Sequence, residues 1–360
     1  MKNGSSHAPS ITVVGPGAVG SLLAVYLSRV GAQVSVLARS GTARTLATLG
    51  LTVRHETEVL HVKPRIIEHG LEAGVQDIVV LAVKSNQVES IAPHIEALVG
   101  PHTCVVTTMN GLPWWFADTL EPHRRSTASL QPPHDFSHQI APRQIVGCLV
   151  YVNCSRNEPG VVRRNAGQRM IVGAVDPDGT AYAQCFGALL TEAKFDVLLS
   201  ADIRLDLWDK LIGNAVLNPL TALTRCTIGD ICDDLPARAL AESAMSEIIQ
   251  LGVALGFGCL ASPADRLKAL EPLRSCSTSM LQDVLAGRPT EIEAMLRPLL
   301  ELGTASGVAM PAMSTLFTLA RLLETKPGAP SPADEPCHAP AHLPVRPRRE
   351  ALTAFAPTPL

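Results

Sequence analysis

A glycine turn set between an apolar strand and a helix, Gly15-Pro16-Gly17-Ala18-Val19-Gly20, constrains this chain more than any other feature. The run Ile11–Val14 before it reads as a buried strand, Ser21–Val30 after it as a helix, and Gln33–Ala38 as the next strand. In that setting a G-x-G-x-x-G needs its glycines for a tight turn, for close approach of backbone to a pyrophosphate, and for close packing of helix on strand. The helix start then offers free N–H groups and a partial positive charge to phosphates. Gly15, Pro16, Gly17, Ala18, Val19 and Gly20 are therefore expected to hold a dinucleotide.

The rest of the chain extends this unit. Asp77–Val83 and Thr103–Thr108 read as further strands separated by helical or loop segments. Alternating strand and helix implies an α/β fold of Rossmann type, a doubly wound parallel sheet. Ile145–Val152, Gly160–Arg163 and Met170–Gly173 suggest a smaller antiparallel addition. From about Ala201 helical periodicity takes over, at Ile203–Asn218, Leu235–Gly252, Pro263–Leu270, Ser277–Ala286, Glu291–Ser306 and Pro311–Glu324. The expected organisation is a flexible leader over 1–9 and a Rossmann domain over 10–200. An all-helical domain for substrate and dimerisation follows over 201–325, then a Pro-rich, disordered tail over 326–360.

Composition narrows the partners. With 18% charged residues and a net charge of -3 there is no basic surface of the kind nucleic acid needs. No apolar run is long enough to span a bilayer, and the polar start lacks the order of a signal peptide. Nine cysteines without a C-x-x-C pair read as free thiols in a reducing cytoplasm, with no metal site. A small-molecule substrate is the partner that remains.

The end of the second strand bears on the cofactor. An NAD site usually carries an acid there for the ribose 2′-hydroxyl. Here the chain reads Val36-Leu37-Ala38-Arg39-Ser40, without one. A guanidinium holds a 2′-phosphate through paired charge-assisted hydrogen bonds, so Arg39 favours NADPH. Lys84 and Asn110 also follow strands, where ligands of such sheets bind. The bland alternatives are a solvated loop lysine and a turn-forming Asn110-Gly111.

The segment Leu205–Pro219 carries the most chemistry. Lys210, Asn214 and Asn218 are spaced four apart, a drift of only about 40° per step, so they share one helix face among apolar neighbours. A cleft with a charged substrate would give them partners; otherwise Lys210 snorkels to water and the amides bond backbone. As an ammonium, Lys210 suits ketone reduction, because the carbonyl oxygen must gain a proton as hydride reaches carbon. Downstream, Ser279 and Asp283 share a helix face. Thr290-x-x-Glu293 has the form of a capping box that puts Glu291 in a first helical turn. Spacing leaves Glu291 either compensating the dipole or accepting a substrate hydroxyl.

Taken together, the glycine turn, Arg39, Lys84, Asn110-Gly111, Leu207-Trp208-x-Lys210-Leu211 running on to Asn218-Pro219-Leu220-Thr221-Ala222, and Ser279–Asp283 followed by Thr290-Glu291-Ile292 resemble the ketopantoate reductase (2-dehydropantoate 2-reductase) family. The resemblance runs from about residue 11 to 324. It implies NADPH-dependent reduction of 2-dehydropantoate to pantoate, with Lys210 as general acid. Asn214, Asn218 and Ser279 would be substrate ligands, and Glu291 would sit at the substrate hydroxyl or the nicotinamide ribose. Asn110 would bridge cofactor and substrate, and Lys84 and Arg39 would serve the cofactor. Trp114 and Trp115 follow the Asn-Gly turn and are expected beside the cleft. There they would reshape the pocket for another branched or aromatic 2-oxo acid, the first alternative. A catalytically silent NADPH sensor is the second. A homodimer is compatible with the Ala/Leu-rich helices.

Overall fold

A computed structural model of the chain describes residues 8–121, 128–130, 139–258 and 260–325. The tail read as disordered, and residues 1–7 of the leader, lie outside them. The described residues form one body by their contacts.

The first stretch runs β1 (Ser10–Val14), α1 (Ala18–Arg29), β2 (Gln33–Leu37), α2 (Ser40–Leu49), β3 (Leu51–His55), β4 (Glu58–Val62), β5 (Arg65–Ile67), β6 (Ile78–Leu81), α3 (Val88–Glu96), β7 (Cys104–Thr107) and α4 (Trp115–Asp118). It continues with β8 (Ile145–Glu158), β9 (Val161–Ala174), α5 (Thr180–Glu192) and β10 (Asp196–Leu199). Within one sheet, β5-β2-β1-β6-β7-β8 are parallel neighbours in that order. This is the doubly wound order, and the chain reverses direction across the sheet between β1 and β6. Both faces are covered, so the strands alternate their burial between two apolar clusters. Ile11, Val13, Val34 and Val36 pack against α1, while Val14, Leu37, Val79 and Leu81 join the cluster that continues into the helices.

The addition is antiparallel as read from the sequence, but it is larger than expected: β8 and β9 are strands of 14 residues each that belong to the same sheet. β8 pairs with β7 only over Ile145–Gly147, then runs on past the carboxyl ends of the parallel strands. The polar stretches that seemed to break the runs lie where the overhang leaves the core, and antiparallel pairing continues through them. Four strands, β3, β4, β5 and β10, are not expected from the sequence; β4 is largely exposed and β5, at three residues, is too short to show a period.

The helical half comprises α6 (Ile203–Thr224), α7 (Ile228–Asp233), α8 (Leu235–Ala254), α9 (Pro263–Ala269), α10 (Ser279–Leu285), α11 (Ile292–Ala305) and α12 (Pro311–Thr325). α6 is the hub: it packs on α8, α10, α12 and on the hairpin. It does not stop at Asn218 but carries Pro219 inside it and ends on Arg225, at φ 59°. Burial of Leu217, Leu220 and Ala222 outweighs the lost proline N–H, and the Thr221 hydroxyl donates back to the Leu217 carbonyl at 2.8 Å. Among the described residues no helix is long and apolar enough to cross a membrane.

Candidate active site

The glycine turn lies at the carboxyl edge of β1. Gly15 sits at φ +94°, and a Cβ there would come within 2.6 Å of Val83 Cγ1. A Cβ on Gly20 would lie 2.1 Å from the Gly15 carbonyl oxygen, so helix and turn close only because both residues are glycine. Gly17 differs: its nearest obstacle is 3.9 Å away, leaving the backbone open in front. Helix α1 begins at Ala18, earlier than the expected Ser21, with Gly17 as its N-cap. It has no side-chain cap and no acid in its first turn. Its leading N–H groups are thus left for an external anion. These features fit a dinucleotide pyrophosphate.

Arg39, two residues past β2 and the N-cap of α2, is exposed, and its guanidinium has no partner among the described residues. The strand end is less free of acid than its own sequence implies. β5 pairs with β2 and brings Glu68 to the same edge, where its carboxylate accepts a hydrogen bond from the Ser40 hydroxyl. A neighbour supplied by sheet pairing cannot be seen in a local run of residues.

Lys84 follows β6, but its ammonium is committed to the helical half. It donates to Asp283 Oδ2 at 2.6 Å and to the Pro289 carbonyl. Next to it, the Ser85 N–H donates to Glu291 Oε1 at 3.1 Å, and the Ser85 hydroxyl donates to the Asn110 carbonyl at 3.0 Å. Gly111, at φ +80°, runs against α11, where a Cβ would meet the Ala294 carbonyl oxygen at 3.4 Å, and this close approach brings Asn110 beside Glu291. Asn110 lies close enough to Glu291 to favour its ionised form, and Asn110 Oδ1 lies 3.4 Å from Lys210 Nζ. Asn110, Glu291 and Lys210, far apart in sequence, therefore form one polar chain.

Expectation and structure differ at Glu291. The capping box does not form: Glu291 itself is the N-cap of α11, and Glu293 instead pairs with Arg297 at 2.6 Å and Arg321 at 2.8 Å. Thr290 bonds Glu324 from α12. Burial pushes the Glu291 carboxyl above its ordinary range, against the pull of the Ser85 N–H, Lys84 and Asn110. Burial likewise draws the Lys210 ammonium down to about 8, opposed by Cys148 and Glu291.

Lys210, Asn214 and Asn218 all lie within α6. Asn214 is half-buried and Asn218 is buried, and neither amide has a partner among the described residues. An amide without a partner on a buried residue such as Asn218 is unusual, and a bound ligand would satisfy it. Ser279 is exposed at the head of α10. Thr278 caps that helix and bonds Thr221 of α6 at 2.7 Å, which ties Ser279 to the turn after Asn218.

The tryptophans belong elsewhere. Trp114 and Trp115 are 8% and 1% exposed, Trp115 Nε1 donates to Thr107 Oγ1 at 3.1 Å, and both belong to the core. They do not line the cleft, because α4 turns the segment inward under Phe116, which stacks on Trp208 at 5.8 Å. The aromatic that does face the site is Tyr151 of β8, whose ring centroid lies 5.3 Å from Lys210 Nζ. Burial pushes its hydroxyl up to about 12 against the pull of Arg266, which pairs with Asp209 of α6. No spacing in the sequence links Tyr151 to Lys210; only the overhang of β8 brings them together.

Known proteins resemble this chain through both of its halves. The family described as ketopantoate reductase PanE/ApbA matches residues 11–177, and its C-terminal counterpart matches residues 202–324. A 2-dehydropantoate 2-reductase of Mesorhizobium japonicum is 32% identical over 88% of this chain and 98% of its own length. Among solved structures, a ketopantoate reductase homologue from Ralstonia solanacearum MolK2 superposes with a TM-score of 0.82 at 33% identity, covering 89% of this chain and 98% of that one. D-mandelate dehydrogenase, solved with NADH and anilino(oxo)acetate, shares the fold at a TM-score of 0.76 and 18% identity over 88% of this chain and 98% of that one. The chain belongs to the ketopantoate reductase family, nicotinamide-dependent 2-oxo acid reductases acting on CH–OH groups.

Proposed function

We propose that this protein reduces 2-dehydropantoate to pantoate with NADPH, and that Lys210 supplies the proton. The observation that carries this reading is the arrangement around Lys210. Its ammonium meets Asn110 on one side, and two partnerless amides, Asn214 and Asn218, follow it along the same helix face. The nicotinamide, when bound, supplies hydride to the carbonyl carbon. Lys210 Nζ donates its proton to the carbonyl oxygen, so the C=O becomes CH–OH and the lysine is left neutral. Asn110 holds the ammonium in place and joins it to Glu291, which accepts the substrate hydroxyl. Asn214, Asn218 and Ser279 hold the substrate carboxylate without neutralising the lysine. Gly15–Gly20 hold the pyrophosphate, Arg39 the 2′-phosphate, and Lys84 joins the two halves at the cofactor edge. Residues 10–200 then carry the cofactor and 201–325 close on the substrate.

The burial of Trp114 and Trp115 removes the feature that pointed to an aromatic substrate. The test follows NADPH absorbance with purified protein and a panel of 2-oxo acids. Turnover fastest on 2-dehydropantoate is expected. A faster phenylglyoxylate or branched 2-oxo acid would overturn the substrate, and nucleotide binding without turnover on any acid would overturn the chemistry.

A further inference from the structure

Arg156 lacks a counter-charge. It stands on the part of β8 that overhangs the carboxyl edge, and its Nη1 donates to the Pro16 carbonyl in the glycine turn at 2.7 Å. That neutral oxygen is its one hydrogen-bond acceptor among the described residues, and no carboxylate pairs with it. The guanidinium is half-buried, and Arg288, from the loop between α10 and α11, lies close enough to repel it. Arg288 shares one carboxylate with Lys84: its Nε lies 2.9 Å from Asp283 Oδ1, while Lys84 Nζ lies 2.6 Å from Oδ2. Two cations thus divide one anion, and a third, desolvated, has none.

Taking an arginine partly out of water beside another arginine costs free energy that a single bond to a carbonyl does not recover. Such a cluster is stabilised by an anion with several acceptor oxygens, which planar guanidinium groups grip in pairs. The location limits the choice. Pro16 precedes Gly17, the open glycine, and the uncapped start of α1 lies just beyond it. We propose that Arg156 and Arg288 clasp the cofactor pyrophosphate from the side opposite the helix start, Arg156 also pinning the Pro16 carbonyl. Because Arg156 comes from the sheet half and Arg288 from the helical half, the pyrophosphate joins the two. This inference rests on the reading of the glycine turn as a dinucleotide site, and it concerns binding rather than turnover.

The experiment is calorimetric binding of NADP+ and of 2′-AMP to the full chain and to Arg156→Gln and Arg288→Gln. 2′-AMP occupies the adenosine end but has no pyrophosphate. Each substitution should weaken NADP+ at least about tenfold, in line with loss of a charge-assisted pair. Binding of 2′-AMP should stay within about twofold, and the salt dependence of NADP+ binding should become flatter in the same variants. Arg156→Lys should recover only part of the loss, because a point charge replaces the planar fork. Equal losses for both ligands would mean that Arg156 merely shapes the turn, and unchanged NADP+ affinity would mean that it does nothing here; either overturns the clasp. Arg288 has a largely solvated side chain, so Arg288→Gln decides the matter if Arg156→Gln unfolds. A wild-type protein that binds no dinucleotide would refute the site itself, an outcome distinct from loss in the variants alone.

Discussion

The glycine turn and the Lys210 cleft solve opposite problems. The turn is built from backbone, within six consecutive residues, by leaving side chains out; Gly15 and Gly20 exist to permit contact. The cleft is built from side chains brought by β6, β7, α6 and the start of α11, and its groups are perturbed by burial. Backbone recognition is cheap to specify and tolerates little change in shape. Side-chain chemistry depends on distant elements arriving together, and it charges the fold for the desolvated groups it needs.

The largest effect that tests this contrast is on Lys210. Lys210→Ala should lower kcat by roughly 10² or more, with cofactor affinity nearly unchanged, in steady-state and binding assays. Near-normal turnover would remove it from the chemistry. Because the protonated amine is the donor and burial holds it at about 8, kcat/KM should be level below that pH and fall above it. An acid limb near neutrality with no basic limb would contradict the assignment.

Next is the opposite experiment, on shape. Gly20→Ala would place a methyl 2.1 Å from the Gly15 carbonyl oxygen, so turn and helix must part. Stability should drop by about 1–3 kcal/mol and cofactor affinity with it. A thermal melt and titration that match wild type would show the turn to be more pliant than its contacts indicate.

The same lysine offers a measure of what the cleft costs. Its pKa is lower in the folded protein than the ordinary 10.5, so the fold holds fewer protons than the unfolded chain between about 8 and 10.5. Stability therefore rises with pH across that window, and the penalty is complete below it. Lys210→Met should accordingly stabilise the protein by about 1–3 kcal/mol at pH 7 while abolishing turnover. A less stable variant in urea denaturation would mean that the ammonium is better compensated than its surroundings suggest.

The smallest effects concern the rim of the nucleotide site. Arg39→Asp should weaken NADPH much more than NADH, and an unchanged ratio would overturn the role of that strand end. Glu68→Gln should raise NADPH preference by only a few-fold, since it removes a half-buried like charge at the rim that salt partly screens.

Much was legible in advance. The strand, glycine turn and helix of residues 11–30 need only their own order, because apolar period and glycine placement are local. The face shared by Lys210, Asn214 and Asn218 follows from helical geometry alone. Where sequence misled, pairing or packing from afar had intervened. β5 brought Glu68 to Ser40, α4 turned Trp114 and Trp115 into the core, and Glu324 took the hydroxyl that Thr290 was expected to use for a capping box.

By itself, then, the order of residues determined that a nucleotide-type turn opens a doubly wound sheet and that one helix carries a lysine and two amides on a single face. Tertiary structure alone decided what those groups meet. The overhang of β8 delivers Tyr151 to Lys210 and Arg156 to the glycine turn, and Gly111 lets Asn110 reach both Glu291 and Lys210. Short-range preferences are written in neighbouring residues. Electrostatic partnership depends on distance in space, which only the completed packing sets.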